Sequence, residues 1–278
     1  MLTRRSAFHA VAAGALAAAT KASAAPEGRL KQSVARWCYQ KMSLEDLAKE
    51  AARIGLKGID LISYKEWPVV QKYGLTPAMT PGAGNISDGL NRKENHDRLE
   101  REFRENIERA AAARVPNVIT FSGNRRGLPD DIGLDNCVAG LNRVKKIAED
   151  KGVTICLELL NSKVDHKDYQ CDHTAWGVEV IKHVDSPRVK LLYDIYHMQI
   201  MEGDVIRTIR DNIQHIAHFH TGGVPGRHEI DGTQELNYHA VAKAIADAGY
   251  QGYVAHEFMP TWKDPIKSLE QAYEIFTV

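Results

Sequence analysis

Val153-Thr-Ile-Cys-Leu-Glu-Leu-Leu160 is a short apolar run, and it is followed by the amphipathic segment Thr174–Val184 and by a second apolar run, Lys190-Leu-Leu-Tyr-Asp194. The two apolar runs have the length of buried strands, and the segment between them has the periodicity of a helix. Strands that are connected through a helix pair in parallel. This stretch therefore predicts one strand–helix–strand unit of a parallel sheet.

The same alternation extends from this unit in both directions. The candidate strands are Ser33–Tyr39, Gly58–Ser63, Leu75–Thr80, Asn117–Phe121, Val153–Leu160, Lys190–Asp194, Ile213–Thr221 and Gly252–Phe258. The candidate helices are Ser43–Ile54, Asn95–Ala113, Leu134–Asp150, Thr174–Val184, Asp204–Asn212, Asn237–Ala248 and Pro265–Phe276. Eight strands in such an order close most simply into a barrel, so the sequence predicts the α/β class and a single (β/α)8 TIM barrel. An open doubly wound sheet is the alternative, but Tyr39-Gln-Lys-Met-Ser43 is not the glycine-rich phosphate loop expected after its first strand.

Two further features are expected at the mouth of this barrel. The segment Met79–Leu90 is rich in Pro and Gly and has no helical pattern, so we expect a long active-site loop after the third strand. Aromatic residues at or near predicted strand ends can form an apolar wall for a carbon chain, although packing in the core is the alternative. These aromatic residues are Trp37, Tyr64, Trp67 and Phe121.

The N-terminal residues have the pattern of a cleavable export signal. Arg4-Arg5 precedes an alanine-rich apolar run from Ala7 to Ala19, and Ala22-Ser-Ala-Ala25 offers a small-residue cleavage site. This order is typical of a twin-arginine signal peptide, whereas the alternative, an amphipathic helix, would need a polar face. We expect residues 1–25 to be removed, residues 26–278 to form the barrel, and the protein to be exported to the periplasm. The apolar run is shorter than the roughly 20 residues that span a bilayer, so no membrane association is expected.

Charge and cysteine content argue against several classes of function. The chain has 36 basic and 36 acidic residues, whereas proteins that bind nucleic acid broadly usually carry a basic excess. Its four cysteines form no C-x-x-C pair, which argues against a zinc knuckle or a disulfide framework. Pairing of Cys156 with Cys171 after export stays open. We therefore expect a small-molecule partner and no nucleic acid.

Four consecutive candidate strands each end in a side chain that can bind a cation. These are Glu158, Asp194, His220 and Glu257. The carboxyl ends of barrel strands surround the active site, and a carboxylate inside an apolar strand is costly unless a metal or another partner compensates its charge. One such residue alone is more often a helix cap or a salt-bridge partner, but the recurrence in successive strands favours a metal site. The oxygen-rich set suits Mn²⁺ or Mg²⁺, with Co²⁺ as a further candidate.

These residue types fit the chemistry of a carbonyl that moves along a sugar. Moving a carbonyl to a neighbouring carbon, or inverting a centre beside a ketone, requires removal of a C–H proton to give an enediolate. A divalent cation stabilises that oxyanion as a Lewis acid. Glu158 and Glu257 on opposite walls can exchange the roles of general base and general acid. Arg227, in a Gly/Pro-rich loop, can pair bidentately with a substrate carboxylate, or alternatively bridge to Glu229.

Three segments carry a resemblance to a known family. They are Tyr193-Asp-Ile-Tyr-His-Met-Gln-Ile-Met-Glu-Gly-Asp204, Val224-Pro-Gly-Arg-His-Glu229 and Glu235-Leu-Asn-Tyr238. Together they resemble hydroxypyruvate isomerase-like proteins of the xylose isomerase-like TIM-barrel superfamily, which also holds the ketose 3-epimerases. The resemblance implies the metal ligands Glu158, Asp194, His220 and Glu257, the two Glu as acid/base pair, and contacts from His197 and Arg227 to substrate oxygens. Hydroxypyruvate isomerases often have Gln where this chain has His220, whereas the ketose epimerases have His.

The leading hypothesis is a metal-dependent isomerase of the hydroxypyruvate isomerase type, acting on a sugar or a hydroxy-keto acid. A sugar epimerase with the same enediolate chemistry is one alternative, and a lyase or dehydratase for an oxidised sugar derivative, suggested by export, is another. A DNA-repair endonuclease of the superfamily would need a three-zinc cluster and a basic face, and a sugar-binding protein would not need two opposed glutamates. Barrels of this type often dimerise, so a homo-oligomer stays open.

Overall fold

The computed structural model describes residues 28–278. Its eight parallel strands pair in chain order, and β8 pairs with β1 to close the barrel. The strands are β1 (Lys31–Ala35), β2 (Gly58–Asp60), β3 (Thr76–Ala83), β4 (Asn117–Thr120), β5 (Thr154–Glu158), β6 (Val189–Asp194), β7 (Ile216–Thr221) and β8 (Tyr253–His256). The prediction of a single (β/α)8 barrel is confirmed. The predicted export signal, residues 1–25, lies outside the described residues.

Helices cover the outside of the barrel. They are α1 (Leu44–Ile54), α2 (Trp67–Gln71), α3 (His96–Ala112), α4 (Asp130–Asn142), α5 (Lys145–Lys151), α6 (Thr174–Val184), α7 (Ile195–Met201), α8 (Val205–Asn212), α9 (Tyr238–Asp247) and α10 (Pro265–Phe276). Local signals fix their ends. The Ser43 side chain accepts a hydrogen bond from Asp46 N before α1, and Gly55 ends that helix at φ 111°, a left-handed conformation that favours glycine.

Some predicted boundaries were wrong. Strand β3 continues to Ala83, so the first part of the predicted loop Met79–Leu90 is strand; Pro81 is accommodated because the register with β4 shifts between Pro81 and Ala83. The predicted helix Leu134–Asp150 is two helices, α4 and α5, with a break at residues 143–144. Helix α7 was not predicted, because it begins directly at the end of β6 without an intervening loop.

Apolar side chains fill the barrel below the site. Met79, Ile119, Cys156 and Leu192 form a buried cluster, and a much larger cluster joins the strands to the surrounding helices. Side chains two residues apart in a strand point to the same face. Cys156 therefore lies one layer below Glu158, and the same strand geometry puts Leu192 below the end of β6.

The cysteines of this structure are free thiols, and three of them are buried. Within residues 28–278, no helix combines the length and the apolar character that crossing a bilayer requires.

Candidate active site

The four predicted metal ligands come together at the carboxyl end of the barrel. Glu158 and Asp194 are the last residues of β5 and β6, His220 is the penultimate residue of β7, and Glu257 follows β8 directly. One donor atom from each lies within 4.8 Å of a donor atom from every other, and all four side chains are buried. The strand ends deliver these groups because parallel strands of a barrel finish at one rim.

His220 is the centre of this cluster. Its Nδ1 lies 2.6 Å from Glu257 Oε2, 3.4 Å from Glu158 Oε1 and 3.9 Å from Asp194 Oδ2. None of these contacts has hydrogen-bond geometry, so the buried Nδ1 has no hydrogen-bond partner among the described residues. Three carboxylates and an imidazole nitrogen that converge in this way suit a common divalent cation, and their oxygen-rich composition suits a hard or borderline ion.

The guanidinium of Arg227 compensates part of the buried negative charge. Its Nη2 donates to Asp194 Oδ2 at 2.5 Å and to Glu257, and its Nη1 donates to His197 Nε2 at 3.0 Å. The guanidinium also lies 4.8 Å from the centre of the Tyr196 ring. Arg227 is therefore a buried member of the site and does not bridge to Glu229, which was one interpretation of the sequence.

The two glutamates differ in their electrostatic surroundings. Burial raises the pKa of Glu158 to about 7, against the opposing effect of His220. Burial also opposes ionisation of Glu257. The charges of His220 and Arg227 outweigh this effect, together with the hydrogen bond from the Trp37 indole, and lower the pKa of that carboxyl. The two carboxyls therefore differ in how readily they ionise.

His197 is fixed at the start of α7. Its backbone N–H donates to Asp194 Oδ1 at 3.2 Å, so Asp194 caps the helix with one oxygen while the other faces the cluster. Its Nδ1 lies 2.7 Å from the amide nitrogen of Asn161, and that amide also donates to Asp165 at 2.7 Å. Burial and the neighbouring Arg227 lower the pKa of His197, which keeps the imidazole neutral.

A cavity of about 670 Å³ opens above the cluster. Both glutamates, His197 and Arg227 line it, so each can reach a molecule held there. Of the four aromatic residues predicted for its wall, Trp37 and Phe121 line this cavity, whereas Tyr64 and Trp67 line a smaller one of about 190 Å³.

One buried acid of the site is missing from the predicted set. Asp60 ends β2, and its Oδ2 lies 2.5 Å from His218 Nε2 and 3.7 Å from His220 Nε2. Burial opposes its ionisation, but the two histidines outweigh this effect and lower the pKa of Asp60 to about 2. Asp60 lay inside the predicted strand Gly58–Ser63, whereas β2 ends at Asp60. A carboxylate in a strand was the available signal, but β2 has only three residues and forms a weak apolar run.

Two curated relatives illustrate what this chain is similar to. It is 29% identical over 126 residues to a Danio rerio protein named "Putative hydroxypyruvate isomerase", a match that covers 45% of this chain and 46% of the relative. It is 36% identical over 110 residues to the 2-oxo-tetronate isomerase of Cupriavidus necator, covering 40% of this chain and 42% of the relative. The matches thus span just under half the length of these relatives.

The fold comparison and a family profile cover most of the chain. The structure superposes on that of AP endonuclease, family 2, from Brucella melitensis with a TM-score of 0.77 and 23% identity, covering 86% of this chain and 97% of the other. At that identity the likeness concerns the fold alone. The profile of the family described as xylose isomerase-like TIM barrel matches residues 48–276, which confirms the resemblance inferred from the sequence. The chain therefore belongs to the xylose isomerase-like TIM barrel family.

Proposed function

We propose that this protein is a metal-dependent isomerase or epimerase that moves a proton beside the carbonyl of a small sugar. The observation that carries the proposal is the buried convergence of Glu158, Asp194, His220 and Glu257 beneath an open cavity. The names of the relatives support the same class, since they include isomerases and the D-psicose 3-epimerase of Ruminiclostridium cellulolyticum, which is 35% identical over 127 residues. Mn²⁺ or Mg²⁺ fits the donor set best, and Co²⁺ is a further candidate.

The two glutamates would carry the proton transfers. Both line the cavity, so each can reach a carbon of a molecule bound there. One carboxylate removes the C–H proton beside the carbonyl, and a carboxyl returns a proton to the neighbouring carbon or to the opposite face of the same carbon. The first outcome is isomerisation and the second is epimerisation, and both pass through an enediolate. A bound divalent cation would supply Lewis-acid stabilisation of the negative oxygen.

His197 and Arg227 would hold substrate oxygens. Both line the cavity, so each can reach an oxygen of a molecule held there. The terminal nitrogens of Arg227 bind Asp194, Glu257 and His197. Arg227 would therefore orient the carboxylates of the site as well as the substrate.

Export is a separate part of the proposal. Residues 1–25 support a twin-arginine route to the periplasm, and a substrate available there would be a sugar taken up from outside the cell. A fusion of residues 1–25 to a reporter protein tests the route: export that is lost when Arg4 and Arg5 are both replaced by Lys supports it.

The test of the reaction is proton exchange. The purified protein is loaded with Mn²⁺ in deuterated water, and loss of C–H signals from small ketoses and hydroxypyruvate is followed by NMR. We expect exchange in the parent and a loss of at least about 100-fold in Glu158→Gln and in Glu257→Gln, because general acid–base groups typically contribute about 10²–10⁴-fold. Glu94→Gln, at an exposed position, is the matched control and should exchange like the parent.

Three readouts separate the alternatives. Bound Mn²⁺ is measured in each variant, because a variant that keeps the ion but loses exchange has lost the proton-transfer group. Product analysis distinguishes a rearrangement without change of mass from release of water or an aglycone, and release would favour a lyase or dehydratase. Parent-like exchange in both Gln variants would contradict the proposal.

A further inference from the structure

We propose that the substrate is a neutral ketose that carries a second ring, with the ketose in the cavity above the glutamates and the second ring in an adjoining cleft. The inference rests on the proposed function and extends it to a substrate class. It rests on the charged groups that line the cavity, on the size of the cavity, and on a second cleft beside it.

The lining of the cavity offers an anionic substrate few basic side chains to pair with. Three carboxylates line it, those of Glu158, Asp165 and Glu257. Arg227 is the only basic side chain of the lysine or arginine type among the described residues of the lining. Both terminal nitrogens of Arg227 bind groups of the site, so its fork is not available for bidentate pairing with a substrate carboxylate. A neutral polyhydroxy compound needs no basic partner, and Asp165 and His166 provide polar groups for its hydroxyls.

The size of the cavity points to more than a three-carbon acid. Its volume of about 670 Å³ falls within the range of about 300–1,000 Å³ of pockets that hold drug-sized ligands. Much of its wall is apolar, including Ile86, Phe121 and Leu160, and such a wall suits the carbon face of a sugar.

A second cleft of about 870 Å³ adjoins this cavity, and Trp37 and Met259 line both. Three of the six large hydrophobic side chains that are exposed in the described part of the chain lie on this cleft: Trp37 at 36%, Trp262 at 40% and Met259 at 42% exposure. Exposed apolar patches of this kind mark binding sites, and indole faces stack on rings.

Polar groups accompany the indoles. Tyr39 lines the cleft, is 3% exposed, and its buried hydroxyl has no hydrogen-bond partner among the described residues. Gln40 and Lys41 line the same space. The polar side chains of Gln40 and Lys41 can bond the hydroxyls of a ring held in this cleft. Apolar faces with single polar partners suit a sugar ring.

The outer wall of the cleft is held in place. Glu229 accepts hydrogen bonds from Thr261 N at 2.7 Å and Trp262 N at 3.1 Å, and Met259 N donates to Arg227 O at 2.8 Å. The loop that carries Trp262 is therefore tied to the loop that carries Arg227. A preformed wall loses less conformational entropy on binding a ring than a mobile one.

The experiment compares three probes with the Mn²⁺-loaded protein: fructose, its 6-O-glucosyl derivative isomaltulose, and hydroxypyruvate. Proton exchange in deuterated water gives kcat/KM for each. We expect kcat/KM for isomaltulose to exceed that for fructose by about tenfold, because one ring stacked on an indole contributes about 1.4 kcal/mol. In Trp262→Ala the ratio of isomaltulose to fructose should fall to about one, whereas Tyr64→Ala, at an exposed aromatic residue outside both spaces, should keep the parent's ratio.

Calorimetric binding of isomaltulose to the parent and to Trp262→Ala separates failure of this inference from failure of the proposed reaction. If isomaltulose binds Trp262→Ala more weakly than the parent, but no probe exchanges protons with either protein, the proposed reaction is overturned and the ring-binding cleft is supported. Equal kcat/KM for isomaltulose and fructose in the parent, a preference for hydroxypyruvate, or binding unaffected by Trp262→Ala would overturn the inference. Sedimentation of both proteins adds a further check: a parent dimer that dissociates in Trp262→Ala would show that a second copy covers the cleft, which also overturns it.

Discussion

His218 Nε2 lies 2.5 Å from Asp60 Oδ2, and both side chains are fully buried beneath the candidate metal ligands. The same oxygen lies 3.7 Å from His220 Nε2, while the opposite ring nitrogen of His220 faces Glu257. A carboxylate behind a ligating histidine fixes the orientation and the tautomer of its ring. At 3.7 Å the contact with His220 is longer than a hydrogen bond, so Asp60 acts on this ring through its buried negative charge, on the side away from the three carboxylates.

Replacing Asp60 should weaken metal binding without removing a ligand. We expect Asp60→Asn to lower the affinity for Mn²⁺ by about 10–100-fold, the usual effect of losing a residue that supports a ligand. Calorimetric titration of the metal-free protein measures the dissociation constant, and Asp150→Asn at an exposed position is the control. Circular dichroism shows whether the fold is kept. An unchanged dissociation constant in a folded Asp60→Asn protein would contradict the view that the charge of Asp60 supports His220 as a ligand.

Replacing Arg227 should make the fold depend on the metal. Arg227→Met leaves Asp194 and Glu257 without their buried cation, and breaking a buried pair typically costs about 3–5 kcal/mol. The metal-free variant should therefore melt well below the parent. Saturating Mn²⁺ should raise the Tm of the variant more than that of the parent, because the bound cation then replaces the positive charge that Arg227 supplied.

The control for this variant is Arg210→Met, at an exposed position of α8. It should melt like the parent both with and without Mn²⁺, and chelation of the ion should affect the two equally. Equal Tm values for metal-free Arg227→Met and metal-free parent would refute the view that the guanidinium compensates the site.

The four strand-end ligands could be predicted because each is one polar side chain at the end of an apolar run, and a barrel brings such ends together. Helices α6 and α10 have the predicted bounds for a similar reason, since their periodic patterns stop at clear signals. Such features are local in the sequence. Because the parallel strands of a closed barrel all end at one rim, these separate residues form a single site.

The remaining parts of the site depend on contacts between distant residues. Arg227 bonds Asp194, which is 33 residues away, and Glu229 bonds the backbone of Thr261, which is 32 residues away. No local pattern distinguishes these bonds from an exposed pair within the loop, which is why a contact between Arg227 and Glu229 was an open interpretation. The apolar cleft beside Trp262 is likewise formed by two loops that are separate in the chain.

Tyr169 joins the ends of two strands below the site. Its fully buried hydroxyl donates to Glu158 O at 2.9 Å and accepts from Ser122 N at 3.0 Å. Tyr169→Phe leaves both backbone groups unpaired, so we expect the free energy of unfolding to fall by about 1–3 kcal/mol. Urea denaturation measures it, and Tyr64→Phe, at an exposed tyrosine, should show no change. A Tyr169→Phe protein as stable as the parent would mean that these strand ends need no such link.

Glu229 should make stability depend on pH. Its carboxylate accepts hydrogen bonds from Thr261 N and Oγ1, from Trp262 N and from Ser268 Oγ. Burial opposes ionisation, but these bonds outweigh it and lower the pKa of Glu229 below its ordinary value. Because the folded pKa lies below the unfolded one, this contribution is complete above the unfolded pKa of about 4.3 and is lost as the pH falls through the folded pKa.

The expected difference between Glu229→Gln and the parent therefore has a defined pH dependence. At pH 7 we expect the variant to be less stable by about 1–3 kcal/mol, since hydrogen bonds to a charged group are the stronger ones. The gap should narrow as the pH falls from about 4.3 downward, because the parent's carboxylate then becomes protonated. Urea denaturation between pH 3 and 7 follows it, with Glu108→Gln, at an exposed position of α3, as the control. A gap that stays constant across this range would show that the charge of Glu229 does not hold the loop of Trp262, and that shape and neutral hydrogen bonds suffice.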